Sequence, residues 1–305
     1  MSGSEGAESA TEKNRRPTPE ELAEGLVKLL EVEELDTDLY RGPRNPGGRG
    51  RVFGGQVIAQ ALMSAIGSTD PDRTVHSLHA YFMRPGDEDF PIIYRVERDY
   101  DGGSFSNRRI IAMQRGKPIL NMTASFQRPE KGFEHQCEMP DVPEPEALLS
   151  ETDLVRQNKD KMPERIYRWM TRPRPIELRP VERWSPFDPV KRDPVRHMWI
   201  RTSGPIGEDP VMHRAVLAYA SDMALLSTAM QPHGVTWMTA NMQTASLDHA
   251  VWFHDDLRMD DWLLYVTDSP WSGGGRGFNR GQLFTRDGRL VASTAQEGLI
   301  RLRKD

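Results

Sequence analysis

The stretch Thr244-Ala-Ser-Leu-Asp-His-Ala-Val-Trp-Phe-His254 sets a hydroxyl, a carboxylate and two imidazoles among large apolar residues. Read with the two-residue period of a strand, Ser246, Asp248, Ala250, Trp252 and His254 share one face, and His249, Val251 and Phe253 share the other. Ligands to one metal ion must converge, so histidines that point apart argue against a metal centre. Asp248 and His249 form an acid and base pair suited to general catalysis, yet strand neighbours face opposite ways and do not act jointly. A further acid, Asp222, stands in Ala218-Tyr-Ala-Ser-Asp-Met-Ala-Leu-Leu226. An unpaired carboxylate buried among such neighbours would cost several kcal/mol or take up a proton, so Asp222 requires partners. Covalent nucleophiles are poorly supported. The chain has no Gly-X-Ser-X-Gly elbow, and Cys137 lies among acidic neighbours that favour the neutral thiol, as an incidental surface cysteine would.

The elements that must position these groups follow a simple plan. After a polar tail, residues 19–30 place Leu22, Leu26, Leu29 and Leu30 at helical spacing with acids in the first turn, predicting a short amphipathic helix. A loop rich in Gly and Arg, 41–51, leads to residues 53–67, apolar nearly all round, as in a helix wrapped by other structure. Strand-like segments follow at 74–83, 91–98, 104–114 and 118–127, separated by turn residues. From 129 to about 194 proline and charge dominate, which reads as a linker with one helix over 148–170. The remainder repeats the plan, with a strand at 197–202, an apolar helix at 211–230 and strands at 236–254, 262–267, 277–286 and 290–301. Residues recur too. Gly102, Gly103, Asn107, Arg108 and Gly116 reappear 172 positions later as Gly274, Gly275, Asn279, Arg280 and Gly288, whereas Gln127 and Gln296 are 169 apart. Self-similarity at half the chain length predicts a duplicated α+β domain. The expected division is a tail at 1–18, a first domain at 19–130, the linker at 131–194 and a second domain at 195–305.

Composition limits the alternatives. With 305 residues, 37% apolar, 28% charged and a mean hydropathy of -0.64, the chain can bury cores and carries much polar surface. A formal charge of -5 and a pI near 6.0 give no sign of a nucleic-acid binder. No apolar run approaches the roughly 18 residues needed to span a bilayer. One cysteine, no visible signal peptide and no C-terminal address signal lead to the expectation of a cytoplasmic protein.

A buried helix enclosed by a curled antiparallel sheet, present twice, resembles the double hotdog architecture. The blocks Phe53-Gly-Gly-Gln-Val-Ile-Ala-Gln-Ala-Leu62, His76-Ser-Leu-His-Ala-Tyr-Phe-Met-Arg-Pro-Gly-Asp87, Thr123-Ala-Ser-Phe-Gln127, Gln231-Pro-His-Gly234, Ala245-Ser-Leu-Asp-His249 with Trp252-Phe-His254, and Ala292-Ser-Thr-Ala-Gln-Glu-Gly298 resemble, in order, the acyl-CoA thioesterase II family. The resemblance implies hydrolysis of fatty acyl-CoA to a free acid and CoA by direct attack of water, without metal or organic cofactor. It also implies a catalytic set of Asp222, Ser246 and Gln296. The residue types suit that chemistry, because a thioester already has a good leaving group and mainly needs a positioned, deprotonated water and a stabilised oxyanion.

Gly54 and Gly55 open the first buried helix, where backbone N–H groups could meet a thioester oxygen or a phosphate. Arg108, Arg109 and Arg280 are candidates for the phosphates of CoA. The first repeat offers Ser77 and Gln127 but no counterpart of Asp222, so one site per chain is expected, built on the second repeat. His249 and His254 are read as packing or supporting groups. A dehydratase or hydratase acting through His249 or His79, and a non-catalytic acyl-CoA-binding protein, are the competing readings. Exposed sheet edges predict a homo-oligomer.

Overall fold

The computed structural model describes residues 15–45, 48, 50–182 and 189–303. The predicted tail falls largely outside them. Helix α1, Pro19–Leu30, begins with a capping box in which Thr18 and Glu21 satisfy each other's backbone amides, and it buries Ala23, Leu26, Leu29 and Leu30. Strands β1 (Glu33–Asp36) and β2 (Leu39–Gly42) follow, a hairpin that the polar, Gly-containing sequence did not announce. Helix α2, Gly54–Gly67, has Ile58, Ala59, Ala61, Leu62 and Ala65 without any exposed surface. Gln60, a fully buried polar residue of this helix, is satisfied: Nε2 donates to the Leu29 carbonyl at 2.6 Å and Oε1 accepts from the Tyr94 hydroxyl at 2.7 Å.

Strands β3 (Thr74–Phe82), β4 (Ile92–Asp101), β5 (Phe105–Gln114) and β6 (Lys117–Gln127) form the first antiparallel meander. The segment expected as a linker holds two short helices, α3 (Glu151–Gln157) and α4 (Glu164–Met170), where one was predicted over 148–170. Pro163 separates them. It lacks an amide hydrogen and holds the residue before it extended, and Met162 has φ -137° and ψ 150°. The same segment supplies β7 (Ile176–Pro180), which with β8 (Val195–Thr202) begins the second sheet half.

Helix α5 runs Pro210–Ser221 and stops at Asp222, well short of the predicted 230. A 3-10 segment, Leu225–His233, replaces its second half. Tertiary bonds hold it there: the Ala229 amide donates to Asn279 Oδ1 at 2.9 Å, and the Thr228 and Thr267 hydroxyls meet at 2.8 Å. The remaining strands are β9 (Met242–Ser246), β10 (Asp248–Phe253), β11 (Leu263–Gly273), β12 (Arg276–Thr285) and β13 (Leu290–Leu302).

All of these strands join one 13-stranded sheet in the order β1-β2-β4-β5-β6-β3-β10-β13-β12-β11-β8-β7, with β9 paired to β13. The order is the same read inward from either end, so the two repeats meet at β3 and β10, where Asp248 pairs with Tyr81 and Trp252 with Ser77. Helices α2 and α5 pack against each other inside this sheet. The architecture is the double hotdog.

The sheet also settles the repeat. Arg108 is buried whereas Arg280 is exposed, so the 172-residue offset does not match their faces. The equivalent pairs are Arg109 with Asp99 and Arg280 with Asp268, cross-strand ion pairs in both halves.

Candidate active site

Where α5 ends, Asp222 takes the capping position at the negative end of its own helix dipole, and the N-terminus of α2 approaches it from the first repeat. A Cβ added to Gly54 would lie 2.7 Å from Asp222 Oδ2, and one added to Gly55 would lie 2.2 Å from the Tyr219 carbonyl oxygen. Only glycine permits that approach. The Gly55 amide donates to the Asp222 carboxylate.

The other partners come from the second sheet half. Strand β13 pairs with β10 through Ala292–Ala295 and with β9 from Gly298 onward, and Gln296 sits at the changeover. Its Nε2 donates to Asp222 Oδ1 at 2.6 Å, and the Ser246 hydroxyl donates to the same oxygen at 3.3 Å. Burial pushes the Asp222 carboxyl up to about 6, against the opposing hydrogen bonds from Gln296, Ser246 and Gly55. A carboxyl with that value is mostly ionised at neutral pH and able to accept a proton.

His249 stands behind Gln296. The Gln296 amide donates to His249 Nδ1 at 3.1 Å, and the imidazole shares its Nε2 hydrogen with the Ser221 hydroxyl at 2.8 Å, which in turn donates to the Ala218 carbonyl at 3.0 Å. Burial pushes the His249 imidazole down to about 3, so the ring is neutral and its Nδ1 is an acceptor. With both of its hydrogens directed to acceptors, the Gln296 amide has one workable orientation.

Ser246 and His249 therefore serve the same site, which corrects the expectation that strand alternation puts them on opposite faces. The strand is interrupted at Leu247, whose amide donates to the Glu297 carbonyl at 2.9 Å while its carbonyl accepts from the Phe82 amide at 3.0 Å. This irregular residue shifts the alternation by one place, as a bulge does. Asp248 does face away from His249, and accepts the Glu297 amide at 2.6 Å. His254 is exposed and bonded to Ser293 Oγ at 2.8 Å, and His79 is exposed with its ring against Trp252. Neither His249 nor His79 lines the cavity onto which Asp222 opens.

That cavity holds about 560 Å³. Asp222, Ser246 and Gly54 lie together on its wall, and Phe82, Leu120, Leu226 and Leu247 contribute apolar surface. Of the predicted site residues, Asp222, Ser246, Gln296, Gly54 and Gly55 are thus brought together. The three arginines are not. Arg108 is 2% exposed and spends its guanidinium on Asp101 at 2.7 Å, on Ser68 and on backbone carbonyls, so it holds strand β5 in place. Arg109 and Arg280 lie on the outer face in their ion pairs with Asp99 and Asp268. The arginines that do line the cavity are Arg51 and Arg84, beside the Phe53-Gly-Gly and Pro85-Gly86 motifs, and no periodicity distinguished them.

The family described as "Acyl-CoA thioesterase" matches residues 170–299, and that described as "Acyl-CoA thioesterase N-terminal domain" matches residues 41–127. Acyl-CoA thioesterase 2 of Haemophilus influenzae is 40% identical over 281 residues, which span 92% of this chain and 98% of that protein. Acyl-coenzyme A thioesterase 8 of Homo sapiens is 43% identical over 300 residues, 95% of this chain and 93% of that protein. Among solved structures, the acyl-CoA thioesterase II TesB2 from Mycobacterium marinum superposes with a TM-score of 0.74 at 40% identity, covering 91% of this chain and 98% of that one.

Proposed function

Because this chain belongs to the acyl-CoA thioesterase family, we propose that it hydrolyses acyl-CoA thioesters by direct attack of water, with Asp222 as general base and Ser246 and Gln296 as the groups that orient base and water. The observation that carries the assignment is the Asp222 carboxylate on the wall of a cavity that also carries Phe82, Leu120, Leu226 and Leu247, held through Oδ1 by Gln296 at 2.6 Å and Ser246 at 3.3 Å. Asp222 takes a proton from water as the oxygen adds to the thioester carbonyl. The tetrahedral oxyanion then collapses, the C–S bond breaks, and the CoA sulfur leaves as thiolate, taking up the proton that Asp222 holds. The products are CoA thiol and the fatty acid, which loses its proton to solvent as the carboxylate. His249 fixes the Gln296 amide and is a positioning residue. The apolar wall suits a fatty acyl chain.

Two broader expectations stand as proposals. Sheet edges at β1 and β7 can pair with further copies, which supports a homo-oligomer, and a monomer in light scattering at micromolar concentration would count against it. No helix among the described residues is long and apolar enough to cross a membrane. A single, exposed cysteine accords with the reducing cytoplasm.

The test is thiol release from a series of acyl-CoA substrates by the parent protein and Asp222→Asn, with circular dichroism on both. A fall of at least about 100-fold in a folded variant is expected for loss of a general base. Undiminished turnover would remove Asp222 from the mechanism, and absence of turnover in the parent would overturn the function.

A further inference from the structure

We infer that the nucleotide end of the CoA thioester, its adenine and phosphates, docks at the cavity mouth on the Trp169 and Trp237 pair with Arg172, assisted by Arg51 and Arg84 from the first repeat. The inference rests on the reading of Asp222 as the reacting end of the same cavity.

Trp237 lines the cavity, and Trp169, on α4, leans against it edge to face with ring centroids 5.4 Å apart. Both rings remain exposed, at 37% and 45%. An exposed aromatic pair beside a substrate cavity offers a π-face on which a base can stack. The Arg172 guanidinium lies 5.4 Å from the centre of the Trp169 ring, and Arg174 lies 5.6 Å from it. Arg174 is committed to Glu151 at 2.9 Å. Arg172 makes no ion pair with any described residue, nor do Arg51 and Arg84 on the cavity wall, although Arg84 donates to the Pro118 carbonyl at 2.8 Å. In a chain of formal charge -5, guanidinium groups without carboxylate partners gathered at one opening fit the phosphates of an anionic ligand. The positions are electrostatically connected to the reacting end. Tyr219, whose ring meets Phe53 at a centroid distance of 5.0 Å, feels the charges of Arg172, Arg174 and Glu88 as well as that of Asp222. Division of labour follows from polarity: the apolar interior takes the acyl chain, and the cationic, aromatic mouth takes the nucleotide. The segment joining the two repeats is then part of the substrate site.

The experiment compares hydrolysis of an acyl-CoA with hydrolysis of the same acyl group carried on N-acetylcysteamine, which lacks the nucleotide, for the parent, Trp169→Ala and Arg172→Gln. Loss of a stacking face or a phosphate contact raises KM for acyl-CoA roughly tenfold with little change in kcat, while turnover of the short thioester stays at the parent level. Equal losses on both substrates, or no loss on either, would overturn the inference. A second measurement does not depend on turnover: calorimetric binding of the adenosine bisphosphate fragment of CoA to each protein. Binding by the parent, weakened about tenfold in each variant, supports the site. No binding by the parent, or equal binding by all three, overturns it, and does so whether or not the protein hydrolyses thioesters.

Discussion

Gly54 stands so close to Asp222 that a β-carbon on it would lie 2.7 Å from the carboxylate oxygen Oδ2. The first repeat has no acid of its own at this place, and its helix instead completes the setting of the acid in the second. Under the proposed role of Asp222 as general base, catalysis depends on both halves of the duplication. Gly54→Ala is expected to displace the Asp222 carboxylate and reduce kcat by more than tenfold in a folded protein. Gly55→Ala meets backbone, the Tyr219 carbonyl oxygen at 2.2 Å, and is expected to lower thermal stability as well. Activity assays with melting curves on both variants separate the two effects.

The pH dependence has two readouts of opposite sense. With the Asp222 carboxyl up at about 6, kcat/KM falls tenfold per pH unit below that value as the base is protonated. For stability, a carboxyl raised from 3.8 to about 6 favours folding most when protonated, so its contribution is fully present below about pH 4 and is lost as pH rises through 6. The melting advantage of the parent over Asp222→Asn should accordingly shrink by up to about 3 kcal/mol between pH 4 and pH 7. A gap independent of pH would contradict the burial of an ionising Asp222.

Gln296 supplies the largest opposing influence on the Asp222 carboxyl, through the 2.6 Å bond. Gln296→Glu replaces that donor with a second carboxyl, and the two share a proton, so the acid limb of the rate profile moves upward by at least about one pH unit. Activity lost at neutral pH should return in part at alkaline pH. Ser246→Ala, which removes the longer bond, is expected to move the limb less.

His249 offers a discriminating case. His249→Ala frees the Gln296 amide, and kcat is expected to fall about tenfold with KM retained and the acid limb displaced upward, because the donor to Asp222 is no longer held. His249→Asn, which keeps a side-chain acceptor on the strand, should recover part of the loss. If His249→Ala abolished thiol release while Asp222→Asn left it intact, the histidine and not Asp222 would be the base of the hydrolysis.

The three arginines away from the cavity should separate by burial. Arg108→Ala leaves the buried Ser68 carbonyl without its donor and a cavity where the guanidinium was, and is expected to cost about 3 kcal/mol in denaturant unfolding. Arg109→Ala and Arg280→Ala remove exposed pairs and should stay within about 1 kcal/mol. None of the three should change KM for acyl-CoA.

Much of this protein is readable from local pattern. The run after Phe53, apolar nearly all round, reads as a wrapped helix, the alternation in 104–127 reads as half-buried strands, and the recurrence of glycines in the second half foretold the duplication. The resemblance of short blocks brought out Asp222, Ser246 and Gln296 together. Three features required the tertiary structure. Leu247 breaks the alternation because its amide and carbonyl are taken by Glu297 and Phe82, which are distant in sequence, and that lets Ser246 reach Asp222 while His249 reaches Gln296. Helix α5 ends at Asp222 because Asn279 and Thr267 bond the following segment. Arg108 faces inward and Arg280 outward because strand register, set by pairing and bulges, decides the face of every residue on a strand. Periodicity records only what the chain does with its neighbours, whereas an active site forms where segments far apart in sequence satisfy one another's polar groups.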